Sequence, residues 1–309
     1  MRAGAAVGET GAVDPRSLAP PQVRRQLVPY ALAAPALIAV IALAVAPLLY
    51  AVWLSFTDWS LMTSAAPILK GPEAYSRLLS DRQFSGAMLR SAAWTAGTVA
   101  IELVVGLGLA LLFSVRTRVA GPLTALLLLP WVTPYVVVAY AWRYLLDGQT
   151  GPFHAALQTI GLVGDRSMLS DPTLAFVAVT VISGWAGLPF MMVSLLAALR
   201  AVPQELYEAA SVDGAGRVAR FATITWPLIR STAFIMSLVL GALAFYSFDI
   251  VWLTTKGGPV GATQILGVKL YDTFVRQLQP GYAAAMGVTA LFALAAVGVV
   301  ASAWMGRRR

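Results

Sequence analysis

The chain has 309 residues, 59% of them apolar and only 12% charged, with a formal charge of +8 and a mean hydropathy of +0.75. About a quarter of the residues of an ordinary soluble domain are charged, so a soluble cytosolic enzyme is excluded. The absence of cysteine excludes disulfides, thiolate metal sites and cysteine nucleophiles.

Residues 1–28 are rich in Gly, Ala, Pro and Arg, carry no apolar run, and read as a flexible cytoplasmic tail. Residues 29–309 read as one six-helix transmembrane domain. The apolar stretch 30–56 follows Arg24 and Arg25, is too long for a signal-peptide core, and ends near Trp53 and Trp59 at an interface. Five more apolar blocks follow, at 91–113, 122–145, 173–199, 231–253 and 283–305. At about 1.5 Å of rise per residue each is long enough to cross roughly 30 Å of hydrocarbon. Continuous apolar runs, without alternation at every second residue, specify an all-α integral membrane protein and not a barrel. Six spans return the chain to its starting side. Thirteen Lys and Arg residues flank that side and eight the other, so both termini are expected in the cytoplasm, with Asp81 and Asp165 outside.

Three ionisable residues interrupt the blocks: Glu102, Arg143 and Asp249. Such groups are costly in hydrocarbon, and two readings stand for them. Either they line a solute pathway, or Arg143 and Asp249 lie near the outer interface and snorkel or pair structurally while Glu102 is buried at a helix or subunit contact. The one histidine, His154, cannot make an HExxH metal pair and is expected to be solvated in an extracytoplasmic loop. There is no GxGD sequence and no GxxxxGK[ST] phosphate loop, so no catalytic site is expected, and any ATP is bound by another chain.

The loop at 200–230 differs from the rest. Pro203 suits the first turn of a helix, Glu205 and Glu208 complement its positive end, and Gly214 suits a left-handed stop. A short exposed helix over 203–212 follows, with Leu206, Ala209 and Ala210 able to meet a partner. A helix lying on the membrane surface is the other reading.

Glu208-Ala209-Ala210, then Gly214, Ile224, Trp226 and Pro227, resembles the EAA loop of the transmembrane subunits of binding-protein-dependent ABC importers. Trp226 replaces the usual leucine, and Ser231 stands where sugar permeases often have a second proline. PLLYAVWLSFTDW, GLPFMM, LYEAASVDGAG and LTTKGGPVGAT resemble carbohydrate permeases of the maltose type, the last segment matching the MalF-like partner with Lys256 in place of a glycine. The resemblance implies a type I ABC importer permease fold with an ATPase-coupling loop containing Glu205, Glu208, Ala209, Ala210, Asp213 and Gly214. It further implies a MalG-like second permease, two ATPase subunits that bind the ATP and Mg, an extracytoplasmic solute-binding protein, and a sugar or sugar derivative as cargo. It also places a substrate pathway on Ser183, Trp185, Gly187, Pro189 and Phe190 of helix four. On helix five the corresponding positions are Leu240, Leu243, Ala244 and Ser247, where hydrogen-bonding groups of the relatives are missing. An ion-coupled secondary transporter and an importer of a non-sugar solute such as a polyol phosphate are the alternatives.

Overall fold

The computed structural model describes residues 32–114 and 120–306. The expected tail 1–28 and the basic residues Arg116, Arg118 and Arg307 to Arg309 lie outside the described residues. The chain divides into two units, one ending at Trp53 and one beginning at Leu54.

Helix α1, Leu32–Leu54, is apolar around its circumference, with none of its most apolar window buried. An all-apolar exposed surface is stable against lipid or another subunit and not against water. Within it Ile41–Val45 forms a wide π turn directly before Pro47. A mid-helix proline lacks an N–H and crowds the carbonyl of the preceding turn, which a π turn relieves.

In the second unit, α2 (Glu73–Ser80) precedes α3 (Arg82–Ser114), whose N-terminus is capped by Asp81. Asp81 Oδ1 accepts from the N–H groups of Gln83 at 2.8 Å and Phe84 at 3.1 Å, and Oδ2 from Tyr282 Oη at 2.8 Å. Partial burial disfavours the charged carboxylate, but these three donors together outweigh it and hold Asp81 below the ordinary carboxylate range.

The block at 122–145, expected as one span, is broken. Helices α4 (Pro122–Val132) and α5 (Tyr135–Leu145) meet at 95°. Pro134 disfavours the helical conformation at the preceding residue, and Thr133 is accordingly extended, with φ −74° and ψ 129°. His154, in α6 (Pro152–Thr159), is buried and not solvated, at 1% exposure.

Helix α7, Pro172–Arg200, runs parallel to α3. A Cβ at Gly97 would lie 2.9 Å from Thr180, one at Gly184 2.8 Å from Ile101, and one at Gly106 3.0 Å from Met191. Contact positions thus advance together along both helices, and small residues let the backbones approach, as in other membrane helix pairs.

Helix α8, Gln204–Val212, is followed by α9, Arg217–Phe245. The fifth span therefore lies earlier than the expected 231–253. Hydropathy missed its start because Arg217, Arg220 and Arg230 sit on the helix. Its expected end belongs to a separate helix, α10 (Asp249–Thr255), whose Ile250 packs in the core with Val138, Ala178 and Ile182. Helix α11, Leu266–Tyr271, precedes the last span, α12, Pro280–Gly306. Five described helices are long and apolar enough to cross a membrane, or six if the bent α4 and α5 pair is counted as one span. Trp94 Nε1 donates to Ala244 O at 3.1 Å and Ser91 Oγ accepts from Leu266 N at 2.7 Å, so α3 braces both α9 and α11.

Candidate functional site

The loop at 200–230, expected to couple to an ATPase, has a defined stop. Gly214 takes φ +77°, and the chain closes with Ala215 N donating to Ala210 O at 2.9 Å and Gly214 N to Ser211 O at 3.2 Å. These are the two bonds of a Schellman motif, which satisfies carbonyls a helix end otherwise leaves unpaired. No heavy atom lies within 4 Å of where a Gly214 Cβ would be, so the requirement for glycine there is one of backbone conformation alone.

Helix α8 has two faces. Glu205, Glu208, Ala209, Asp213 and Gly214 are exposed, along with Leu206 and Val212. Ala210 is half-buried on the inner side beside Tyr207, whose hydroxyl shares a hydrogen bond of 2.9 Å with Thr225 Oγ1. Arg220 Nη1 donates to Ser211 Oγ at 2.8 Å. Both bonds tie α8 to the first turns of α9, where Phe221–Thr225 forms a π turn directly before Pro227. Sequence reasoning missed Tyr207. Its only trace was a large amphipathic side chain between two glutamates, one turn from Ala210 and Ser211 and so on the opposite face from Glu205 and Glu208.

The residues expected to line a substrate pathway fall into separate groups. Trp185 is partly exposed, its ring edge-on to Trp142 with centroids 5.6 Å apart, and Phe190 stacks on Trp131 at 5.7 Å. Ser183 and Gly187, one helical turn apart, face α3 instead. There Glu102, only 4% exposed, lays its carboxylate in the gap that Gly187 leaves by having no side chain. Glu102 Oε2, Thr98 Oγ1 and Ser183 Oγ are buried without hydrogen-bond partners among the described residues. Of the two readings of Glu102, the structure places it at a helix contact. Ala244 and Ser247 are half-buried where α9 ends, and a Cβ on Gly267 would lie 2.5 Å from Ser247 O. Arg143 and Asp249 are exposed, the former on α5 and the latter at the start of α10. No group of three His, Cys, Asp or Glu placed to hold a metal occurs among the described residues.

The sequence matches the binding-protein-dependent transport system inner membrane component family over residues 102–309. It is 32% identical over 246 residues to the trehalose/maltose transport system permease protein MalF of Thermococcus litoralis, covering 79% of this chain and 82% of that protein. It is also 32% identical to the sulfoquinovosyl glycerol transport system permease protein SmoG of Agrobacterium fabrum, covering 87% of each. In fold it resembles a chain of a bacterial ABC transporter involved in the import of the acidic polysaccharide alginate, with a TM-score of 0.73 at 20% identity, covering 93% of this chain and 97% of that one. With its multi-pass helical fold and this match over two thirds of its length, the chain belongs to the binding-protein-dependent transport system inner membrane components, the non-catalytic permease subunits of ABC importers.

Proposed function

We propose that this chain is the MalF-like permease of a sugar importer, paired with a MalG-like permease, driven by two ATPases that bind ATP and Mg, and supplied by an extracytoplasmic solute-binding protein. The observation that carries the mechanical part is the attachment of α8 to α9 through Tyr207 and Thr225. A helix with an exposed Leu206, Ala209 and Val212 among carboxylates is a contact surface, and its bond to α9 lets displacement by an ATPase move the span as a rigid body. Sugar as cargo is supported by the two similar permeases, one named for trehalose and maltose and the other for sulfoquinovosyl glycerol. It is further supported by the aromatic surface of Trp185, since ring faces pack well on sugar C–H bonds. The ion-coupled alternative is not retained, because the family works with a binding protein and Glu102 is closed between α3 and α7.

Calorimetry of the cognate binding protein against trehalose, maltose and sulfoquinovosyl glycerol identifies the cargo. Vesicles with the full complex should then take up that solute only with ATP and loaded binding protein. Trp185→Ala should lower uptake about five- to tenfold per assembled complex, the size of one lost aromatic contact. A fall matching only the amount of complex recovered would make Trp185 a packing residue.

The proposed orientation has residues 200–230 in the cytoplasm. In this cysteine-free chain a single cysteine at Asp165 should react with an impermeant maleimide in intact cells, and one at Arg217 only after permeabilisation. The reverse pattern would invert the topology.

A further inference from the structure

A polar cleft of about 550 Å³ lies at the end of the molecule expected to face outward, between α5, the segment before α7 and the end of α10. Arg143, Asp147, Ser170, Thr254 and Thr255 line it. Arg143 is exposed, with no ion pair or hydrogen bond among the described residues. Thr254 is 4% exposed, and its hydroxyl is buried with no partner. Asp147 fixes its own turn, with Oδ1 accepting from Thr150 N, Gln149 N and Thr150 Oγ1, each at 3.0 Å. Those bonds, the backbone ones first, hold the carboxyl below the ordinary range, so Asp147 is ionised at neutral pH.

One positive and one negative side chain face the same space, so the lining carries no net charge. An anionic ligand drawn to Arg143 meets Asp147, and a cationic ligand meets the converse. A neutral ligand with adjacent hydroxyls satisfies both, accepting from the guanidinium and donating to the carboxylate, while also partnering the exposed Ser170. The volume is that of a small-molecule site. Trp142, whose ring meets Trp185, packs against the same core cluster as Leu169, which lines the cleft.

We infer that this cleft is an outer waiting site for a neutral, polyhydroxylated sugar, filled as the binding protein releases its cargo and emptied toward Trp142 and Trp185. The inference rests on the sugar-importer reading. The test uses Ser170→Cys as the single cysteine of this chain, in the full complex in nanodiscs without binding protein. Maleimide labelling of this chain is followed with added maltose, trehalose or galacturonate, and uptake of the same compounds is measured in vesicles with binding protein. A transported neutral sugar should slow labelling at least threefold. Arg143→Gln, which removes a charge-assisted hydrogen bond at an exposed position, should raise the half-protecting concentration about tenfold. The binding protein's own affinity should not change. A sugar that is transported yet gives no protection overturns the waiting site and leaves the sugar reading standing. Stronger protection by galacturonate overturns the neutral class. Failure of every neutral sugar to be transported removes the sugar reading and the inference with it.

Discussion

Gly187→Ala should destabilise the solubilised complex by about 1–3 kcal/mol, and Gly187→Val should leave little assembled permease. A Cβ at this position meets the Glu102 carboxylate, which occupies the gap against the α7 backbone. The carboxylate has nowhere easy to go. It lies between α3 and α7, is 4% exposed, and is bordered by Ile101 against Gly184 on one side and Met191 against Gly106 on the other. Removing the obstacle should restore room, so Glu102→Ala combined with Gly187→Ala should recover most of what Gly187→Ala loses, a coupling expected of residues in direct contact. Thermal unfolding and the yield of monodisperse complex read both effects. Gly187→Ala with wild-type stability, or a double variant no better than the single one, would show that the two positions do not oppose each other.

Gly214→Val should abolish transport, with uptake down at least tenfold, while insertion and the binding protein's affinity are unchanged. A β-branched residue is strongly disfavoured at φ +77°, so the Schellman closure would open and α8 would lose its stop. Since no atom obstructs a side chain there, Gly214→Asn should retain most activity, because asparagine tolerates left-handed backbone. That contrast separates a conformational requirement from a packing one. Glu208→Ala leaves the fold of α8 intact and removes an exposed charge, and it should weaken ATPase association or the stimulation of hydrolysis by loaded binding protein. Wild-type uptake by both Gly214→Val and Glu208→Ala would mean that the segment does not transmit the ATPase stroke.

The spans were legible where an apolar block coincides with one continuous helix, as for α3, α7 and α12, although most of the α7 window is buried within the protein. They were misplaced where one block joins residues of separate helices. The run at 248–253 was read as part of the fifth span because hydropathy does not distinguish Ile250 in a protein core from a leucine facing lipid. The same blindness shortened α9 at its start, since arginines on a helix end look like a loop. The break at Pro134 was visible as a residue, but its consequence depends on three-dimensional context, because Pro47 and Pro189 lie inside continuous helices. The stop at Gly214 was readable from local chemistry alone. The inner face of α8 was not, because Tyr207 acquires its partner eighteen positions away at Thr225. His154 was misjudged for a related reason: a short helix outside the apolar blocks can still be packed against by its neighbours.

The π turn at Phe221–Thr225 sets the rotational phase of the fifth span. Such a turn holds one residue more than an α turn, so everything beyond it is rotated by about 100° relative to an uninterrupted helix. On one side of it lies Arg220, which donates to Ser211 of α8, and on the other lies Ala244, whose carbonyl receives Trp94. Both attachments are met at once only with the extra residue present. Deleting one residue between 221 and 225 would keep the composition and length of the span nearly unchanged, yet it would turn the membrane portion away from α3 or α8 away from the position it now holds. The wide turn therefore acts as an index mark, fixing which side of the span is fastened to the loop.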